Sequence, residues 1–106
     1  MSGRLTTHVL DTASGLPAAG VSVSLARDGS PLVEVVTDGD GRALLCQGEG
    51  FTPGRYELVF AIGDHFGLAV RFLDRVPIHV TIDDADRHWH VPLLCSPFAY
   101  STYRGS

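Results

Sequence analysis

The chain has 106 residues and a net charge of −4, and its cations are eight Arg with no Lys. With no basic run anywhere, nucleic acid and acidic membrane surfaces are poor partners. A composition 44% hydrophobic and 19% charged excludes a disordered or low-complexity chain and suits one domain spanning residues 1–106.

Period-2 alternation recurs along the chain between Gly, Pro and Asp clusters, the pattern of half-buried strands. In Leu5 to Leu10, residues Leu5, Thr7 and Val9 share one face, and Thr6, His8 and Leu10 the other. Thr12 to Gly20 reads as a loop. Val21, Val23 and Leu25 then alternate with Ser22, Ser24 and Ala26. Asp28-Gly29-Ser30-Pro31 is a turn, Leu32 to Thr37 a strand, and Asp38-Gly39-Asp40-Gly41 a second turn with Arg42 just beyond it. Ala43 to Cys46 is a short strand, followed by Gly-rich punctuation to Gly54 and a strand facing inward through Tyr56, Leu58 and Phe60. Ile62 to Leu73 is the least strand-like stretch and has room for a short helix. Ile78, Val80 and Ile82 mark another strand. Trp89, Val91 and Leu93 oppose His88 and His90 on the next, and Phe98 to Tyr103 makes the last. Seven to eight short strands with one short helix predict an all-β, two-sheet sandwich.

No apolar stretch reaches the roughly 20 residues of a membrane span, and Met1-Ser2-Gly3-Arg4-Leu5 leads into strand-like sequence without a signal-peptide core, so a cytoplasmic location is expected. Cys46 and Cys95 are too few for a disulfide framework and, among leucines, read as small buried residues.

Side-chain alternation sends His8 and His90 off the core face, into water or an interface, with His88 beside His90. An outward His is either a solvated surface residue or a base near neutral pH. The His88/His90 spacing also suits a metal, but no third ligand stands at motif spacing, so no metal is expected. Arg42 is either a solvated turn charge or a planar donor fork for an oxyanion or polar heterocycle, and Arg104 has the same two readings. His65 and His79 have no distinctive company. The Tyr103-Arg104-Gly105-Ser106 ending follows directly on a strand with no loose polar tail.

Leu5-Thr6-Thr7-His8-Val9-Leu10-Asp11, then Gly15-Leu16-Pro17-Ala18-Ala19-Gly20-Val21, resemble the opening of the transthyretin-like family. Thr37 to Arg42 fits that family's turn. His88 to Ser106 resembles the signature end of its 5-hydroxyisourate hydrolase branch, including the terminal Tyr-Arg-Gly-Ser. The sequence departs from the usual pattern at Trp89, Cys95 and Phe98-Ala99. The resemblance implies a transthyretin-like (prealbumin-like) β-sandwich that assembles as a homotetramer, a dimer of dimers with sites in the interface channel. It further implies that His8, Arg42 and His90 are catalytic and that Tyr103, Arg104, Gly105 and Ser106 line the site. The implied reaction is hydrolytic opening of 5-hydroxyisourate in urate breakdown, with no cofactor. The alternative is a carrier holding a small aromatic ligand in the same channel.

Overall fold

The inward-facing sets named above pair off into two sheets in the computed structural model, which describes residues 3–67 and 72–106. Among the described residues there are nine strands: β1 (Arg4–Asp11), β2 (Leu16–Pro17), β3 (Ser22–Arg27), β4 (Ser30–Val36), β5 (Arg42–Gln47), β6 (Gly54–Ala61), β7 (Arg75–Ile82), β8 (His88–Cys95) and β9 (Tyr100–Thr102). One sheet runs β4-β3-β6-β7. The other runs β2-β1-β8-β9, with β5 also paired to β1. A five-residue helix, α1 (Ile62–Phe66), follows β6. Residues 68–71 of the helix-prone stretch lie outside the described residues.

The alternation predicted for β1, β3, β6 and β7 is the alternation observed, whereas β4 is exposed along almost its whole length. Leu5 and Val9 of β1, Val23 and Leu25 of β3, Leu58 and Phe60 of β6, and Leu93 of β8 are at most 2% exposed and fill the space between the sheets. Each such side chain contributes roughly 1.5–3 kcal/mol through removal from water. Two threonines are buried as well because their hydroxyls are paired. Thr7 donates to the Val91 carbonyl at 2.6 Å, and Thr37 donates to that of Ala18 at 2.7 Å.

Three expectations need correction. The Thr12–Gly20 loop contains β2, because the Asp11 carboxylate accepts the N–H groups of Ala13 and Ser14 at 2.9 and 3.1 Å and turns Leu16 and Pro17 back onto β1. That strand and the others bring the total to nine rather than seven or eight. The last strand is shorter than Phe98 to Tyr103, since only Tyr100–Thr102 pairs with β8. The Ser96-to-Ala99 segment instead closes on itself through the Ser96 N–H bond to the Ala99 carbonyl at 2.8 Å. Finally, His65 and His79 do have partners: His65 meets Asp11 at 3.0 Å, and His79 meets Glu57 across β6–β7 at 2.7 Å. Those contacts join residues far apart in sequence, which no local pattern reveals.

Candidate active site

Strand register alone assembles one polar row on the outer face of the first sheet. β1 lies between β5 and β8, antiparallel to the first and parallel to the second. Residues in register share a face, so Arg42 stands opposite His8, and Leu44 and His90 flank Thr6 on either side. His88 is in register with Arg4 at the row's end. The β1–β5 register shifts between Leu5 and Thr6, the signature of a bulge. It lets Leu45 turn into the core at 5% exposure while Leu44 and Arg42 stay outside.

Arg42 owes its position to the turn before it. Asp38 Oδ1 accepts the N–H of Asp40 at 2.9 Å and that of Arg42 at 3.0 Å. Gly41 adopts φ 74°, a conformation that strains any residue with a side chain, and its carbonyl accepts the Val9 N–H at 2.8 Å. The turn is thereby fastened to β1 next to His8. The two backbone donors, with Arg42 and His8 close by, hold the Asp38 carboxyl below the usual carboxylate range.

His90 is held from two sides. Its Nδ1 lies 2.8 Å from Thr6 Oγ1, and the same hydroxyl lies 2.8 Å from His88 Nε2. On the other side the chain end returns: Gly105 bridges to His90, donating its N–H to the His90 carbonyl at 2.7 Å. Gly105 packs so close that an added Cβ would fall 2.5 Å from His90 Cδ2. Among the described residues, His90 Nε2 takes no hydrogen bond. Partial burial, then the neighbouring His88, Arg42 and His8, depress the His90 pKa, so its neutral form persists below the ordinary histidine range.

These residues edge an open cleft of about 320 Å³ lined by Arg4, Thr6, Asp38, Arg42, His88, His90 and Ser106, among others. His8 faces Arg42 across the β1–β5 pair rather than lining the cleft itself. Within the single chain, the tail residues divide. Gly105 and Ser106 reach the His90 side, whereas Tyr103 and Arg104 line a second groove beside Ile78 and Trp89. There the Arg104 guanidinium lies 4.3 Å from the centre of the Trp89 ring, a cation–π contact. Among the described residues, no three His, Cys, Asp or Glu side chains cluster closely enough to hold a metal ion.

Sequence reasoning passed over Thr6 and Asp38 as site residues. Asp38 read as turn chemistry, which it also is. Thr6 could have been singled out, since parallel pairing of β1 with β8 puts an outward Thr beside an outward His, but that pairing joins strands more than 80 residues apart.

Residues 5–105 match the HIUase/Transthyretin family. The chain belongs to that family. A relative from Caulobacter vibrioides named 5-hydroxyisourate hydrolase is 58% identical, with 100% of both chains covered. The solved 5-hydroxyisourate hydrolase of Klebsiella pneumoniae is 39% identical and superposes with a TM-score of 0.88 over 98% of this chain and 99% of that one. Sea bream transthyretin, solved in complex with thyroxine, matches at a TM-score of 0.88 over 96% of this chain and 94% of its own, at 23% identity. That last likeness is one of fold. This member of the family thus carries its polar row on the sandwich scaffold shared by both branches.

Proposed function

We propose that this chain hydrolyses 5-hydroxyisourate, opening the six-membered ring at a ring amide to give 2-oxo-4-hydroxy-4-carboxy-5-ureidoimidazoline. The observation that carries the reading is His90: it is anchored through Nδ1 to Thr6 beside the Arg42 cleft, partial burial favours its neutral form, and Nε2 takes no hydrogen bond among the described residues. The full-length likeness to 5-hydroxyisourate hydrolases supplies the substrate.

Water is a poor nucleophile until a base within hydrogen-bond reach removes its proton. His90 takes that proton as the oxygen bonds to the amide carbon, and His8, on the same face, orients the water. The carbonyl oxygen becomes an oxyanion, and the Arg42 guanidinium stabilises it with charged N–H donors. When the C–N bond breaks, the ring nitrogen takes the proton that His90 carries, and the carboxylic acid left behind ionises by giving its remaining proton to solvent. Gly105 and Ser106 close the His90 side. Tyr103 and Arg104 act on the ring from a neighbouring copy in a homotetramer, a dimer of dimers. Support for such an assembly comes from exposed apolar side chains at the cleft and at the second groove, with Leu44 at 45% and Tyr103 at 60% exposure.

The test is direct. 5-Hydroxyisourate is generated from urate in situ and its ultraviolet absorbance followed with and without protein. Faster decay is expected, and a rate equal to spontaneous decay overturns the reading in favour of a carrier. His8→Ala, Arg42→Ala and His90→Ala are each expected to lose about 10²-fold or more in kcat/KM while remaining folded. Gel filtration at a monomer volume would remove the interface contribution of Tyr103 and Arg104.

A further inference from the structure

The geometry points to Thr6 and His88 as a positioning pair that fixes the tautomer of His90, with His90 Nδ1–H donating to Thr6 Oγ1 and Thr6 Oγ1–H donating to His88 Nε2. The inference rests on the reading of His90 as the base.

A threonine hydroxyl has one proton and two lone pairs. Thr6 Oγ1 lies 2.8 Å from a ring nitrogen of each histidine, so it can donate to only one of them. The other nitrogen must bring its own proton. Two wirings follow. If Thr6 donates to His90 Nδ1, then neutral His90 carries its proton on Nε2 and has no lone pair facing the cleft. If Thr6 donates to His88 Nε2, His90 carries its proton on Nδ1, and Nε2 is free to accept one from water. Only the second wiring yields a base.

That tautomer is the less favoured one for a free imidazole, so it needs an acceptor at Nδ1. Thr6 supplies it from β1, directly in register with His90 on β8. A hydroxyl that is itself donating is a stronger acceptor, because chained hydrogen bonds polarise one another. His88 therefore acts on His90 through Thr6 without touching substrate. The two rings stand 6.1 Å apart, too far for direct hydrogen bonding but suited to one bridging oxygen. When His90 Nε2 takes the proton of water, its Nδ1–H keeps the same acceptor, and nothing in the chain must rearrange.

The titratable and charged groups facing His90 are Arg4 and His8 from β1, Asp38 and Arg42 from the turn and β5, and His88 from its own strand. Thr6 brings an uncharged, two-way hydrogen-bonding group within 2.8 Å of a ring nitrogen of both His88 and His90.

Thr6→Val preserves the shape and removes the hydroxyl. It is expected to lower kcat about 10- to 100-fold, the range seen when a partner orienting a functional histidine is removed, with KM changed by less than about twofold. The acid limb of the rate profile moves to lower pH, since the imidazolium loses its acceptor. Thr6→Ser restores most of the rate, and His88→Ala lowers kcat less than Thr6→Val does. Ring ¹⁵N shifts of the folded protein report the tautomer itself. The expected pattern is protonated Nδ1 at His90 and protonated Nδ1 at His88 in the wild type, and a population moved towards Nε2–H at His90 in Thr6→Val. A His90 protonated on Nε2 in the wild type overturns the wiring. So does a Thr6→Val protein with wild-type kcat or an unchanged tautomer. If instead His90→Ala keeps the full rate, the base reading falls first, whatever the tautomer.

Discussion

Gly105→Ala tests how closely the chain end governs His90. In the native arrangement, a Cβ at position 105 falls 2.5 Å from His90 Cδ2 and 3.2 Å from its Cβ and Cγ. Carbon atoms rest about 3.5–4.0 Å apart, so either the ring or the tail withdraws by about 1 Å. Withdrawal of the ring strains the 2.8 Å contact with Thr6; withdrawal of the tail breaks the 2.7 Å hydrogen bond from Gly105 to the His90 carbonyl. In the first case the base is misplaced by about 1 Å, which costs about 10²-fold in rate. In the second, one backbone hydrogen bond is lost, about 1 kcal/mol, and the melting temperature falls by about 4–8 °C. The core lies elsewhere, so the variant folds. Rates of 5-hydroxyisourate decay and a thermal melt, run on the same preparation, separate the two cases. A variant within about twofold of wild type in rate and unchanged in melting temperature would refute the claim that the tail packs on His90.

Two further predictions follow from single carboxylates. Asp38→Ala removes the acceptor shared by Asp40 and Arg42 and is expected to lower kcat/KM about tenfold by freeing Arg42, whereas Asp38→Asn, which keeps an acceptor oxygen, recovers most of that loss; equal rates for the two variants would sink the positioning role. Burial pushes the Asp11 carboxyl up, but His65 and the N–H groups of Ser14 and Ala13 outweigh it and hold the carboxyl below the usual carboxylate range. The folded form therefore prefers ionised Asp11, a stabilisation present above the unfolded value of about 4 and lost as pH falls through the lower folded value. Melting temperatures measured against pH should decline less steeply below about pH 4 in Asp11→Asn than in wild type.

Strand identity and strand face were legible because alternation is local. Val21, Val23 and Leu25 announce their face without reference to any other part of the chain, and the observed burial follows them. The same logic put His8 and His90 outside the core. What local patterning does not contain is register between distant strands. Alternation says that Thr6 and His90 both face outward; only the parallel β1–β8 pairing makes them neighbours at 2.8 Å. Likewise Asp11 and His65 are unremarkable until β1 ends beside α1. Asp38 was hidden for a different reason: Asp in a turn is common, so its second role in holding Arg42 leaves no distinct mark on the sequence.

The tail shows how the two kinds of information combine. Thr102 donates its hydroxyl to the Pro92 carbonyl at 2.7 Å, and Gly105 donates its N–H to the His90 carbonyl at 2.7 Å. The segment between them therefore has fixed ends on one strand, and its two side chains, Tyr103 and Arg104, must project rather than pack inward. Arg104 lies over Trp89, whose indole N–H is bound to the Asp84 carbonyl at 2.8 Å, so the guanidinium sits on an immobilised ring. One strand, β8, thus presents His90 to one cleft and Trp89 to the opposite groove, and the returning tail contacts both. Any movement of the tail is felt at His90 and at Trp89 together, because Gly105 and Arg104 are consecutive residues. Trp89 fluorescence is therefore a reporter for the same displacement that Gly105→Ala imposes on the base.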